Sequence, residues 1–217
     1  MRNDVSLNSQ ALLEPAGARV VPQAARRYLR LKRWFDVAAA SLLLLFSLPV
    51  MAAAMLCIYI ESPGRVLYRQ ERVGYQGRPF TIVKLRSMRL DAEKDGPQWA
   101  QKHAPRVTRV GAFLRSTRID ELPQLWNVVR GEMSLIGPRP ERPMFVEQFS
   151  RDIPGFANRL LMKPGLTGGA QVNGGYDISP EKKLELDLYY IRNASFWLDL
   201  RILVRTVKVV LTGDGAR

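Results

Sequence analysis

The chain has 217 residues, with 33 Lys plus Arg against 20 Asp plus Glu, a formal charge of +13. So basic a chain calls for a polyanionic partner: nucleic acid, anionic lipid or a phosphorylated substrate. Cys57 and His103 are the sole residues of their kinds, which excludes an intrachain disulfide framework and a zinc or iron site built from His and Cys. A catalytic metal would rest on carboxylates and phosphates, as Mg²⁺ or Mn²⁺ does. Neither a Walker A loop nor a G-x-G-x-x-G fingerprint occurs.

Residues 1–25 read as a mobile tail, because Met1 to Gln23 follow neither period. Residues 26–61 form a second unit. A basic run (Arg26, Arg27, Arg30, Lys32, Arg33) precedes Val37 to Ile60, an uncharged stretch of 24 residues. As a helix it would reach roughly 36 Å, enough to cross a bilayer core. Pro49, after Ser47 and Leu48, removes a backbone hydrogen bond near the middle. Basic residues flank both ends, with Arg65, Arg69 and Arg72 following, so both ends favour the cytoplasmic side. A re-entrant helix bent at Pro49 satisfies both facts; a bitopic span with a tolerated proline is the competing reading. Cys57 reads as a small buried hydrophobe.

Residues 62–217 read as a catalytic domain. The alternation of Val66, Tyr68 and Gln70, the turn Gly74-Tyr75-Gln76-Gly77 and the return Phe80 to Met88 predict a β-hairpin. Asp91 to Pro105 reads as a loop or short helix, and His103 within it carries no assigned role. Leu122, Leu125, Trp126 and Val129 share a helical face, predicting one helix over Val110 to Val129. Gly137-Pro138-Arg139-Pro140 forms a stiff turn. Lys163 to Gly175 is a Gly-rich loop, and further helices are predicted over Pro180 to Ile191 and Phe196 to Leu211. In the last, Arg201, Arg205 and Lys208 share one face of an apolar helix. That pattern suits a helix lying in the membrane interface, or a core-packed helix with a solvated basic stripe.

Asp120 and Glu121 are the first candidates for chemistry. Asp120 sits where a helix N-cap is expected; a helix N-terminus also stabilises a carboxylate and binds phosphate. Arg115 and Arg118 lie just upstream. Lys84, Arg86, Arg139 and Lys163 form the basic counterpart, with Arg139 held between two prolines. Gathered around two carboxylates, these cations would make a metal–pyrophosphate site. Glycines in Gly165 to Gly175 could bring backbone N–H groups close to a phosphate.

The motifs KRWFD, RQERVGYQGRPFTIVKLRSM, RVGAFLRSTRIDELPQLWNVVRGEMSLIGPRPE, MKPGLTGGAQVNG and LELDLYYIRNASFWLDLRIL occur in that order. As a set, from Arg30 to Leu211, they make the chain resemble the bacterial sugar transferases known as monotopic phosphoglycosyl transferases. The resemblance implies an α+β, mainly helical fold with a re-entrant membrane helix, a small β-hairpin and interfacial amphipathic helices. It places the bend at Ser47 and Pro49, although Leu48 separates them here. It assigns the catalytic pair to Asp120 and Glu121, and phosphate-binding cations to Lys84, Arg115 and Arg139. The implied reaction moves a sugar-1-phosphate from a nucleotide sugar, usually a UDP-sugar, to polyprenol phosphate. It would use Mg²⁺ (or Mn²⁺), pass through an aspartyl-phosphosugar on Asp120 and release UMP. It would run on the cytoplasmic face of the bacterial inner membrane, among anionic lipids. Glu121 would hold the metal or orient Asp120.

Other classes leave different traces. A non-catalytic basic membrane adaptor would not need Asp120. A polyprenyl-phosphate phosphatase would transfer to water. A nucleic-acid binder would interleave aromatics with its basic runs and would leave the uncharged segment unexplained.

Overall fold

The structure is a computed structural model that describes residues 22–92, 94, 106–174 and 178–212. Most of the predicted tail, His103 and most of the stretch from Asp91 to Pro105 lie outside the described residues.

The fold is α+β and mainly helical. Helix α1 runs from Gln23 to Glu61 and contains Pro49. It starts earlier than the predicted second unit, and Ala25 is already buried in the main core. The Ser47 hydroxyl donates to the Leu44 carbonyl at 2.9 Å, close to the carbonyl of Leu45 that Pro49 cannot serve. Both arms of α1 rest on the same body. Ala25 and Ala40 join a core with Leu125, Val128, Tyr190 and Ile202. Ala54 and Ile58 pack with Leu85 and Leu114. Between the arms, Leu42, Leu43, Leu45, Phe46 and Leu48 are exposed. Cys57 is exposed as well, a correction to its reading as a buried hydrophobe: it lies on a helix face with the exposed Leu56 and Ile60.

Two of the residues read as membrane-flanking charge are internal. Lys32 is 5% exposed and bridges Asp36 at 2.7 Å and Asp199 at 3.2 Å. Tyr28 donates to Asp199 at 2.7 Å, Tyr190 to its other oxygen at 2.6 Å, and Ser134 to Asp36 at 2.7 Å. Arg33 donates to the carbonyls of Val128 and Val129 at 2.6 and 2.9 Å. These carbonyls sit at a helix C-terminus, where Val128 also accepts from the Gly131 N–H at 3.0 Å. At its far end, Glu61 accepts from the N–H groups of Arg109 and Val110 at 2.8 and 3.0 Å, so α1 caps the start of α2.

Strands β1 (Leu67–Val73) and β2 (Pro79–Leu85) form the predicted hairpin, antiparallel with Tyr68 opposite Lys84. Its turn uses positive φ at Gln76 and Gly77. The single helix expected over Val110 to Val129 is instead three pieces: α2 (Arg109–Ser116), a 3-10 turn (Ile119–Gln124) and α3 (Leu125–Arg130). Arg118 takes a left-handed conformation, φ 60°, which ends α2, and Pro123 lacks the N–H that a continuous helix would need. Trp126, expected on the buried stripe, is 51% exposed, while Leu125 and Val128 are buried.

Strand β3 (Ser134–Ile136) pairs in parallel with β4 (Gly165–Thr167). The first part of the Gly-rich stretch is thus a strand, followed by α5 (Gly169–Asn173). Its glycines serve close backbone packing: a Cβ on Gly165 would lie 2.1 Å from the Gly137 nitrogen. Helix α4 (Pro143–Asp152) and a 3-10 turn (Phe156–Leu161) cross over between β3 and β4. Helices α6 (Pro180–Asn193) and α7 (Phe196–Thr212) close the body.

Replacing Lys32 by Met would leave Asp36 and Asp199 as buried charges without their cation. The expected loss is about 3–5 kcal/mol, read as a lowered thermal midpoint in detergent.

Candidate active site

A cleft of about 960 Å³ opens between the hairpin, α2, the 3-10 turn at Ile119–Gln124 and the turn around Arg139. Among the described residues lining it, basic side chains outnumber carboxylates twelve to three. Asp120 and Glu121 are both buried on its floor, each 7% exposed. The expected N-cap at Asp120 is not formed; Asp120 lies inside the 3-10 turn, which Arg118 precedes.

The two carboxylates differ sharply in partners. Lys84 reaches Glu121 Oε1 at 2.9 Å from β2. From the other side Arg139 donates through Nη2 to the same oxygen and through Nη1 to Oε2 at 3.3 Å. Burial opposes ionisation of Glu121, but Arg139 and Lys84 outweigh it and hold its carboxyl well below the usual range. Asp120 has an oxygen, Oδ1, that is buried and accepts no hydrogen bond. Burial pushes its carboxyl up to about 6; Lys84 works against that, and ionised Glu121 adds to it. The pair therefore holds one locked anion and one poised carboxylate.

The other predicted residues divide. Lys84, Arg86, Arg115, Arg118 and Arg139 all line the cleft with the carboxylate pair. Lys163 does not: its ammonium lies beside Gly131 and the Arg33 guanidinium, because β4 carries it to the α1 side. Burial and Arg33 lower its pKa. Among the described residues of the Gly-rich segment, only Ala170 and Gln171 reach the lining.

A supporting cluster escaped sequence reasoning. Arg159, 3% exposed, donates to Asp187 at 3.0 Å through Nε and 2.6 Å through Nη2. Its Nη2 also donates to the Arg139 carbonyl at 2.9 Å. Glu141, in the same turn, accepts from Lys183 at 2.7 Å. Arg139 is thus held by its backbone from behind while its side chain grips Glu121. Asp187 follows Leu184 by three residues on α6, and a charge at a core-facing position was the available signal.

The geometry is a cationic cleft with a pair of unequal carboxylates on its floor. Cations line the cleft around a buried carboxylate, one oxygen of which, Oδ1, is buried and accepts no hydrogen bond. The Bacterial sugar transferase family model matches residues 27–213, so the chain belongs to that family. It is similar to the UDP-N-acetylgalactosamine-undecaprenyl-phosphate N-acetylgalactosaminephosphotransferase of Aeromonas hydrophila, 48% identical over 193 residues, 88% of this chain and 46% of that protein. The UDP-glucose:undecaprenyl-phosphate glucose-1-phosphate transferase of Caulobacter vibrioides is 47% identical over 85% of this chain and 71% of its own length. The Escherichia coli protein of the same name is 43% identical over 82% and 39%. The chain therefore spans about half or less of the Aeromonas and Escherichia relatives and more of the Caulobacter one.

Asp120→Asn should stabilise the fold at neutral pH. A folded-state pKa above the unfolded one means that wild type loses stability as pH rises from about 4 to about 6 and stays lower above it. The Asn variant escapes this loss. Its thermal midpoint should exceed wild type at pH 7.5, with the gap closing by pH 4; an unchanged gap would contradict the assignment.

Proposed function

We propose that the protein transfers a sugar-1-phosphate from a nucleotide sugar, of the UDP class, to polyprenol phosphate in the bacterial inner membrane. The observation that carries this is Asp120: a buried carboxylate with a free oxygen, inside a cationic cleft, beside a second carboxylate that is fully paired. The names of the relatives support both substrate classes.

Asp120 Oδ1 attacks the phosphorus that bears the sugar. The bond to the nucleoside monophosphate breaks, and the sugar phosphate remains on Asp120 as an acyl-phosphate. A phosphate oxygen of the acceptor then displaces Asp120. The acceptor is already ionised at neutral pH, so no general base is required. Lys84, Arg115 and Arg139 neutralise the developing charge. Glu121, locked by Lys84 and Arg139, keeps those cations in place beside the nucleophile.

A divalent ion fits these residues. Asp120 Oδ1 is an oxygen that no hydrogen-bond donor occupies, and Glu121 is its neighbour. Among the described residues no cluster of three His, Cys, Asp or Glu could hold a metal alone. Mg²⁺ or Mn²⁺ would thus share Asp120 and Glu121 with substrate phosphates, as Mg²⁺ commonly does. Once bound, it offsets repulsion between two anionic reactants.

For the membrane, we favour the re-entrant topology. Both arms of α1 pack on one body, which supports placing both ends on the cytoplasmic side. Helix α7 exposes Trp197, Leu200, Val204, Val207 and Leu211 beside Arg201, Arg205 and Lys208. That face suits the headgroup boundary of an anionic bilayer.

In membranes with polyprenol phosphate, Mg²⁺ and a UDP-sugar panel, wild type should release UMP with at least one donor. Asp120→Asn should lose at least about a thousandfold, as covalent nucleophiles do, yet stay membrane-bound. Excess EDTA should silence wild type, and Mg²⁺ should restore it. Turnover kept by the Asn variant would exclude the covalent route. Tags at both termini should label only from the cytoplasm; opposite sides would establish a bitopic span.

A further inference from the structure

Arg86 directly follows β2, where its N–H donates to the Val66 carbonyl at 2.9 Å, and Lys84 lies two positions before it within the strand. Lys84 ends on Glu121, so Arg86 lies one step further from the carboxylate pair, towards the foot of α1. Arg86 is 6% exposed and lines the cleft. Its Nη2 donates to the carbonyl of Ser62, the first residue after α1. Its Nε and Nη1 are buried without a hydrogen-bond partner. Buried unpaired guanidinium donors are costly, and an anion delivered there would relieve the cost.

The surroundings narrow the anion. A Cβ on Gly64 would lie 3.3 Å from Arg86 Nη1 and 2.9 Å from Leu90 Cδ1, so the turn after α1 and Leu90 close over Arg86. Leu90 is 63% exposed and lines the cleft with Arg65 and Arg89. This end of the cleft pairs cations with bare apolar surface at the foot of the apolar helix. The opposite end is built differently: Lys183 sits 2.7 Å from Glu141, and Arg72 and Arg159 each 3.8 Å.

We propose that Arg86 binds the phosphate of the acceptor, a phosphate monoester on a membrane lipid, and not the donor. This rests on the transfer reaction above. A lipid's phosphate is confined to interface depth by its chain, and α1 leaves its apolar span beside Arg86. A soluble nucleotide sugar meets no such confinement. Held there, the acceptor oxygen attacks the aspartyl-bound phosphorus. The bond to Asp120 breaks, the carboxylate is restored, and a lipid diphosphate sugar leaves with no proton transferred.

The test uses the full chain in lipid nanodiscs and compares wild type, Arg86→Gln, Arg86→Lys and Leu90→Asp. For Arg86→Gln, kcat/KM for polyprenol phosphate should fall about tenfold to a hundredfold, the worth of one charge-assisted contact. The value for the UDP-sugar should fall much less. Arg86→Lys should recover part of the loss. Leu90→Asp alters only an exposed residue, so it folds even if the Arg86 variants do not. It should weaken acceptor use selectively by placing negative charge at the same mouth. An equal or larger fall on the donor side, or unshifted acceptor constants in Leu90→Asp and in the folded Arg86 variants, would overturn the assignment. A wild type that transfers no sugar phosphate from any donor overturns the transfer reading itself, and Arg86's role with it.

Discussion

Two neighbouring carboxylates cannot both be buried and ionised unless cations meet them, and the cleft is arranged around that constraint. The compensation is uneven. Lys84 and Arg139 both terminate on Glu121, so Glu121 takes the charge and Asp120 is left poised near neutrality. A nucleophile gains from this arrangement. Its carboxylate is under-solvated, its Oδ1 accepts no hydrogen bond, and cations are already fixed beside it. Environments that push adjacent groups apart suit them to different roles, and here the fully paired member is Glu121.

That asymmetry depends on elements far apart in the chain. Lys84 needs the hairpin register that sets Tyr68 against Lys84. Arg139 needs its turn clamped from behind by Arg159, which Asp187 holds from α6. The buried Lys32 network then fixes α1 to β3 and α7. The apolar segment is therefore rigidly joined to the catalytic body. For the proposed lipid-bound acceptor, whose phosphate would lie at one depth, such a rigid joint would keep Asp120 at that depth.

Much of this was legible in the sequence where a local signal existed. The hairpin, α6 and α7 follow from alternation, turn residues and helical period. The carboxylate pair and five of the six predicted cations converge as spacing and chemistry suggested. Other features have no local signal. The break at Arg118 is a left-handed residue that is not glycine. The β3–β4 pair joins three-residue strands whose partners lie some thirty positions apart, too short to show a period. Lys163 looked equivalent to Lys84 as a lone basic residue, and only the parallel pairing carries it to the α1 side.

The charge of +13 shows the same divide between count and placement. Lys32, Arg33 and Arg159 add to the total but are consumed internally, by Asp36, Asp199, Asp187 and backbone carbonyls. They recruit no external anion. Among the described residues, twelve basic side chains line the cleft, and Arg201, Arg205 and Lys208 lie along α7. Net charge alone pointed equally to nucleic acid, lipid and phosphorylated substrate. What separates them is that the cleft's cations surround a buried carboxylate. A polyanion-binding surface would gain nothing from such a group, since it repels the ligand; a covalent phosphate transfer cannot proceed without it.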